Sequence, residues 1–161
     1  MQEERVQPSD AIVVDGFSLE TRMSRVEEIL AADQVTANLG VTLRQVTLEQ
    51  LVMEFTVADQ HVNGVGICHG GVLFTLADSA TGVGANTLDD TSRWVTASAN
   101  ISFYRPAMRA TVLTAVAFLV EIQSPRRRRF MAIISDAEGE IARLDSQLAA
   151  LPAHRLEKVV P

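Results

Sequence analysis

The sequence predicts an α+β domain in which one antiparallel sheet curls around one buried helix. Two groups of strand-like runs, one before residue 58 and one after residue 94, carry the period of two expected of half-buried strands. Between them lies a single helix, about Gly70 to Leu88, that is apolar or small-sided on every face apart from Asp78, as a buried helix is. The turns that join the later strands are short, which favours antiparallel neighbours.

Residues 1–17 show no sustained period and read as a tail or a short added segment. Behind Ser18, a good N-cap, Leu19, Met23, Val26, Ile29 and Leu30 recur at helical spacing, which predicts an amphipathic helix ending near Asp33 and packed on the main body. The chain thus divides into residues 1–35, tail plus helix, and residues 36–161, the domain proper. From Val41 the period becomes two: Val41 and Leu43, then Leu51, Met53, Phe55 and Val57, with a turn at about Leu48 to Gln50. The glycine-rich stretch from His61 to Gly71 is a loop that delivers the chain into the central helix. Inside that helix Gly82 and Gly84 each cost about 1 kcal/mol relative to alanine, so another backbone is expected to approach closely there. Val95, Ala97, Ala99, Ile101 and Phe103 then alternate with Thr96, Ser98, Asn100, Ser102 and Tyr104 in a strand that stops at Pro106. Further strands are expected at about 111–122, 128–136 and 140–151, separated by turns at Ser124-Pro125 and Glu138-Gly139.

Composition narrows the function classes. At 161 residues the chain is one ordinary domain. Its longest apolar run, Ala115 to Val120, is far short of the roughly 17 to 25 residues of a membrane span, and Met1 to Asp10 is polar and acidic, so neither a span nor a leader is expected. One cysteine, Cys68, excludes an intramolecular disulfide framework and suits a reducing cytoplasm. Three histidines without paired spacing argue against a metal centre. Fourteen basic against twenty acidic residues give −6, and with eight aromatics a nucleic-acid partner is not expected. The run Arg126, Arg127, Arg128 and Arg129 concentrates four of those cations, which suggests a small polyanionic ligand.

Asp78 stands out because a carboxylate in an apolar helix is expensive unless paired or used. Its neighbours at helical spacing are Phe74, Thr75, Thr81 and Gly82: an aromatic, two hydroxyls and a gap that admits a substrate. At the start of the helix, Gly70 and Gly71 leave first-turn amides unobstructed, and such amides bind anions or developing oxyanions. Eight residues separate Gly70 from Asp78, about 12 Å of helix rise, too far for both to act on one carbonyl. A shared site therefore requires two subunits, with antiparallel copies of the helix across a two-fold axis. The Cys68-His69 pair is a weak nucleophile candidate, since adjacent residues on a loop point apart. Asn63, before Gly64, reads first as a turn residue whose amide is available to orient water or an acyl group.

The segments Asn63-Gly64, Cys68-His69-Gly70-Gly71, Leu73-Phe74, Leu76-Ala77-Asp78 and Phe103-Tyr104-Arg105-Pro106 resemble the hotdog-fold acyl-CoA thioesterases of the phenylacetate-degradation (PaaI-like) family, over about Leu39 to Leu151. The resemblance implies a hotdog dimer, commonly doubled into a homotetramer, that hydrolyses an acyl-CoA to CoA and a free acid without any cofactor beyond the CoA of its substrate. It places the catalytic carboxylate on Asp78, the oxyanion donor on Gly70 and an amide helper on Asn63. His69, Gly71, Phe74, Thr81 and Gly82 become substrate-binding positions, with His69 bracing the loop. Arg105 and Arg126 to Arg129 become candidates for the CoA phosphates. Ala107-Met108-Arg109-Ala110-Thr111 departs from the family, many of whose members have a glycine and then an acidic residue shortly after the Arg-Pro. Two other readings stand beside hydrolysis: a hotdog hydratase or dehydratase using His69 with Asp78, and a non-catalytic acyl-CoA-binding protein.

Overall fold

The computed structural model describes residues 5–89 and 92–151. Two helices open the chain. In α1 (Leu19–Ala32) the Ser18 hydroxyl accepts the Thr21 N–H at 3.1 Å, the N-cap its sequence promised. A short α2 (Gln34–Leu39) follows, capped by the Asp33 carboxylate and ended by Gly40 in the left-handed region at φ 75°. At six residues α2 is too short to show a period, so only the structure reveals it.

Strands β1 (Thr42–Val46), β2 (Gln50–Thr56), β3 (Trp94–Phe103), β4 (Val112–Ser124), β5 (Arg127–Asp136) and β6 (Gly139–Ala150) form one antiparallel sheet in the order β1-β2-β4-β5-β6-β3. The central helix α3 (Gly70–Asn86) lies across its concave face and touches β2 through β6. Leu73, Leu76, Ala77, Ala80 and Val83 of α3 meet Met53, Phe55, Leu113, Ala115, Ala132, Ile134 and Leu144 in the main core. This is the predicted sheet curled around one helix, the hotdog arrangement. Arg22 ties α1 to it: the buried guanidinium donates to the Thr47 and Leu48 carbonyls of the β1–β2 turn, and burial pushes its pKa down to about 10.

Three features depart from expectation. Residues 5–17 are not a loose tail. Val6 and Ala11 cover an apolar patch of Phe118, Met131 and Ile133 on the outer sheet face, Ile12 N–H donates to the Leu119 carbonyl at 2.9 Å, and Arg143 donates to the Val6 carbonyl. A strap that crosses strands one residue at a time has no period to read. No backbone packs against the helix glycines: a Cβ on Gly84 would lie 3.3 Å from the Phe130 ring, and one on Gly82 would meet nothing within 4 Å. In β3 the register shifts between Thr96 and Ser98, so Trp94 and Thr96 face inward with Ala99 and Ile101 while Val95 is 42% exposed. A bulge flips side-chain phase along a strand, which the plain alternation missed.

Candidate active site

The loop into α3 is organised by Asn63. Its side-chain oxygen accepts the Val65 and Ile67 N–H groups at 3.0 and 3.3 Å, its own N–H donates to the Ile67 carbonyl, and its carbonyl accepts Gly66 N–H. Gly66 sits at φ 89°, a conformation glycine tolerates best. Those bonds spend the Asn63 oxygen; among the described residues nothing accepts from its side-chain NH2.

His69 is the N-cap of α3. Its Nδ1 accepts the Gly71 N–H at 2.9 Å and its carbonyl accepts Val72 and Leu73 N–H, while its own N–H donates to the carbonyl of buried His61. Of the first-turn amides only Gly70 N–H is left without a partner among the described residues. Gly70, Asn63, Ile67, Cys68 and Leu73 line one side of a cleft of about 470 Å³ whose other side is Phe103 to Ala107. A Cβ on Gly70 would come within 3.3 Å of the Phe103 ring, a contact tight enough that the ring would have to shift by a few tenths of an ångström. Burial pushes the Cys68 thiol up to about 11, which removes it as a thiolate nucleophile.

Asp78 lies two turns along α3, half-buried, and its Oδ1 accepts the Thr96 hydroxyl at 2.7 Å. The helix threonines do not hold this carboxylate: Thr75 donates to the Gly71 carbonyl and Thr81 to the carbonyl of Asp78 itself. Thr96 is the residue sequence reasoning missed, because plain alternation puts it with the outward-facing set. Phe74 packs partly buried against the main core, and Gly82 leaves open space one turn beyond Asp78. Within one chain Asp78 does not line the Gly70 cleft.

The candidate arginines divide. Arg105 is engaged by Asp136 at 2.6 Å, Glu138 and the Gly139 and Glu140 carbonyls, which pins the β5–β6 turn and holds the Asp136 carboxyl below its usual range. Arg128 is buried, stacked 4.0 Å over Trp94 and paired with Asp89. Arg129 forms a two-pronged pair with Asp145. Arg126 and Arg127 alone stand exposed, at the β4–β5 turn. No described helix is long and apolar enough to cross a membrane, and the described residues contain no group of three or more His, Cys, Asp or Glu placed for a metal.

Fold and helix start together define a hotdog-fold protein built around a Gly-Gly helix N-terminus and a helix carboxylate. The description of the thioesterase superfamily matches residues 65–125. The acyl-coenzyme A thioesterase PaaI of Escherichia coli is 34% identical over 85 residues, which cover 53% of this chain and 59% of that protein. A Deinococcus radiodurans protein whose name assigns it provisionally to the esterases is 31% identical over 106 residues, 66% of this chain and 70% of its own length. The solved structure of the E. coli PaaI protein superposes with a TM-score of 0.78 at 25% identity, over 84% of this chain and 97% of that one. The chain belongs to the thioesterase superfamily and is PaaI-like. The sequence match to the first two curated relatives spans 59% and 56% of their length.

Proposed function

We propose that this protein hydrolyses acyl-CoA thioesters, with an aryl or short- to medium-chain acyl group, to CoA and the free acid. The observation that carries the reading is the first-turn amide of Gly70, without a partner among the described residues and held on a cleft beside the side-chain NH2 of Asn63, which likewise has none among them. Attack on a thioester builds negative charge on the carbonyl oxygen, and an N–H at a helix N-terminus, aided by the helix dipole, is where that charge is best stabilised. Asn63 holds the acyl oxygen or the water in line. The carboxylate comes from the other subunit of a homodimer: antiparallel α3 helices bring Asp78 to the partner's Gly70, giving two equivalent sites. Asp78 either takes a proton from the water that attacks the carbonyl carbon or attacks that carbon itself to give an acyl anhydride that water then opens; in both routes the C–S bond breaks and CoA leaves as its thiolate. Both roles need an ionised, oriented carboxylate, and the Thr96 hydroxyl supplies the orientation. Arg126 and Arg127 are the candidate contacts for the CoA phosphates, the other arginines being committed to carboxylates.

The His69 ring is engaged at Nδ1 by Gly71 N–H, which favours a structural over a proton-carrying role and weighs against hydration chemistry. The test is free-thiol release from a panel of aryl-, short- and medium-chain acyl-CoAs by wild type and Asp78→Asn, with the oligomer checked by size exclusion. Turnover that falls at least a hundredfold in an intact Asp78→Asn dimer is the expected outcome. Equal turnover in both proteins refutes the assignment of the carboxylate, and CoA-ester binding without turnover by wild type refutes hydrolysis.

A further inference from the structure

The strap on the outer sheet face reaches the Gly70 cleft at its leading end. Buried Arg143 of β6 donates to the Val6 carbonyl and to both oxygens of Glu140, at 2.7 and 3.1 Å, and it pairs in register with Ser102 near the end of β3. One residue before Val6, the Arg5 guanidinium lies over the Tyr104 ring, 5.2 Å from its centre. Tyr104 lines the cleft beside Phe103, whose ring a Cβ on Gly70 would meet at 3.3 Å. Two adjacent side chains therefore join the strap to the start of α3.

We propose that Arg5 contacts a phosphate of the CoA moiety, so that the strap completes the substrate site at the rim of the cleft. The inference rests on the acyl-CoA reading above. The Arg5 side chain is 65% exposed, its contact with the Glu140 carboxylate is 3.9 Å long, and none of its N–H groups makes a hydrogen bond among the described residues. A guanidinium with five open donors suits phosphate oxygens, which only accept. Arg105, next to Tyr104, and Arg143 are already engaged by carboxylates at 2.6 and 2.7 Å. Arg5, Arg143 and Glu140 leave one positive charge over, while Arg105, Asp136 and Glu138 leave one negative charge. The rim is thus balanced, and the open donors of Arg5, not a net charge, select the anion. The CoA arm from sulfur to its first phosphate is about thirteen bonds, roughly 15 Å when extended at the ~1.2 Å per bond of a polypeptide. It is long enough to cross from Gly70 over Phe103 and Tyr104 to the rim. Arg126 and Arg127 stand elsewhere in the same chain: β6 pairs with Phe103 at Ala142 and with Arg127 at Ala149, about 23 Å along the strand. In a site shared by two subunits they arrive with the chain that supplies Asp78, since Thr96 pairs with Leu148, and Arg5 arrives with the chain that supplies Gly70.

Thiol release is measured from benzoyl-CoA, octanoyl-CoA and the N-acetylcysteamine thioesters of the same two acids, which carry no phosphate, using wild type, Arg5→Ala and Arg5→Glu. Arg5 is exposed, so both variants are expected to fold, and a thermal melt of each checks this. Arg5→Ala should lower kcat/KM for the CoA esters about fivefold, the scale of an exposed ion pair, through KM and with kcat unchanged. Arg5→Glu should lower it further, and neither variant should move kcat/KM for the short thioesters by more than about twofold. Calorimetry with CoA itself, which needs no turnover, should show the same loss of affinity. Variants that leave the CoA esters within about twofold of wild type, or that shift both sets of thioesters equally, overturn the phosphate contact and leave the hydrolase standing. Silence of wild type on all four thioesters overturns the hydrolysis; CoA affinity unchanged in Arg5→Glu then overturns the contact as well, and weakened affinity upholds it.

Discussion

Replacing Thr96 by valine removes one hydroxyl and nothing else of consequence, because the β-branched shape that suits β3 is retained. What is lost is the 2.7 Å bond from the hydroxyl to the Asp78 carboxylate. A hydrogen bond to a charged group is worth about 1.5–3 kcal/mol net. Asp78 is only half-buried, so water replaces part of that, and about 1–2 kcal/mol of orienting energy remains to be lost. If this bond sets the carboxylate for attack, Thr96→Val should lower kcat by roughly 5- to 30-fold with KM little changed, since the lost energy is felt in the transition state. Thr96→Ser keeps the hydroxyl and should stay within a few-fold of wild type. The assay is steady-state thiol release on one good acyl-CoA, with a urea melt of each variant to show that the fold is intact. A Thr96→Val enzyme within twofold of wild type, alongside an inactive Asp78→Asn, would refute the positioning role.

Ala110 sits at φ 62° in the turn before β4; a left-handed residue with a Cβ costs about 1–2 kcal/mol, part of which glycine forfeits as unfolded-state entropy, so Ala110→Gly should stabilise by about 0.5–1 kcal/mol in urea melts. Phe130 is 1% exposed and fills the space beside Gly84, so Phe130→Ala should cost about 3–5 kcal/mol, read as a lower urea midpoint at unchanged slope. His69→Ala removes the α3 cap and should cost about 1 kcal/mol, seen as a lower Tm in thermal melts. Burial lifts the Cys68 thiol from 9.0 to about 11, so the folded state holds this proton more tightly than the unfolded one. Its contribution to stability is complete below pH 9 and is lost as pH rises towards 11; urea midpoints followed across that range should fall less steeply in Cys68→Ala than in wild type.

What the sequence made legible follows from periodicity. The helix N-cap at Ser18, the helix start at Gly70 and all six strands fall where hydrophobic spacing and turn residues put them. Phase within β3 was not legible, because a bulge is a backbone event that leaves no compositional mark, and Thr96 was lost with it. The arginine run read as one positive patch; tertiary partners that lie 16 to 39 residues away engage half of it, buried Arg128 with Asp89 and half-exposed Arg129 with Asp145. The strap of residues 5–17 was illegible for a related reason, its contacts being to strands far away in sequence rather than to its own neighbours.

The local chemistry of the helix start explains why a His-Gly-Gly sequence is needed and not simply two glycines. A helix begins with orphan N–H groups, and a site that stabilises an oxyanion must keep one orphan while satisfying the rest, or the loop frays. His69 performs that selection: ring nitrogen for Gly71, carbonyl for Val72 and Leu73, backbone N–H to His61. Asn63 makes the matching choice in the loop, spending its oxygen on Val65 and Ile67 and keeping its NH2. The Phe103 ring lies 3.3 Å from where a Cβ on Gly70 would stand, so a side chain here would press on that ring. The donors left at the cleft, Gly70 N–H and the Asn63 amide, suit an acyl oxygen, which only accepts. Asp78, two helical turns away, does not line the cleft of its own chain, and the hydrolysis proposed above takes its carboxylate from a second copy.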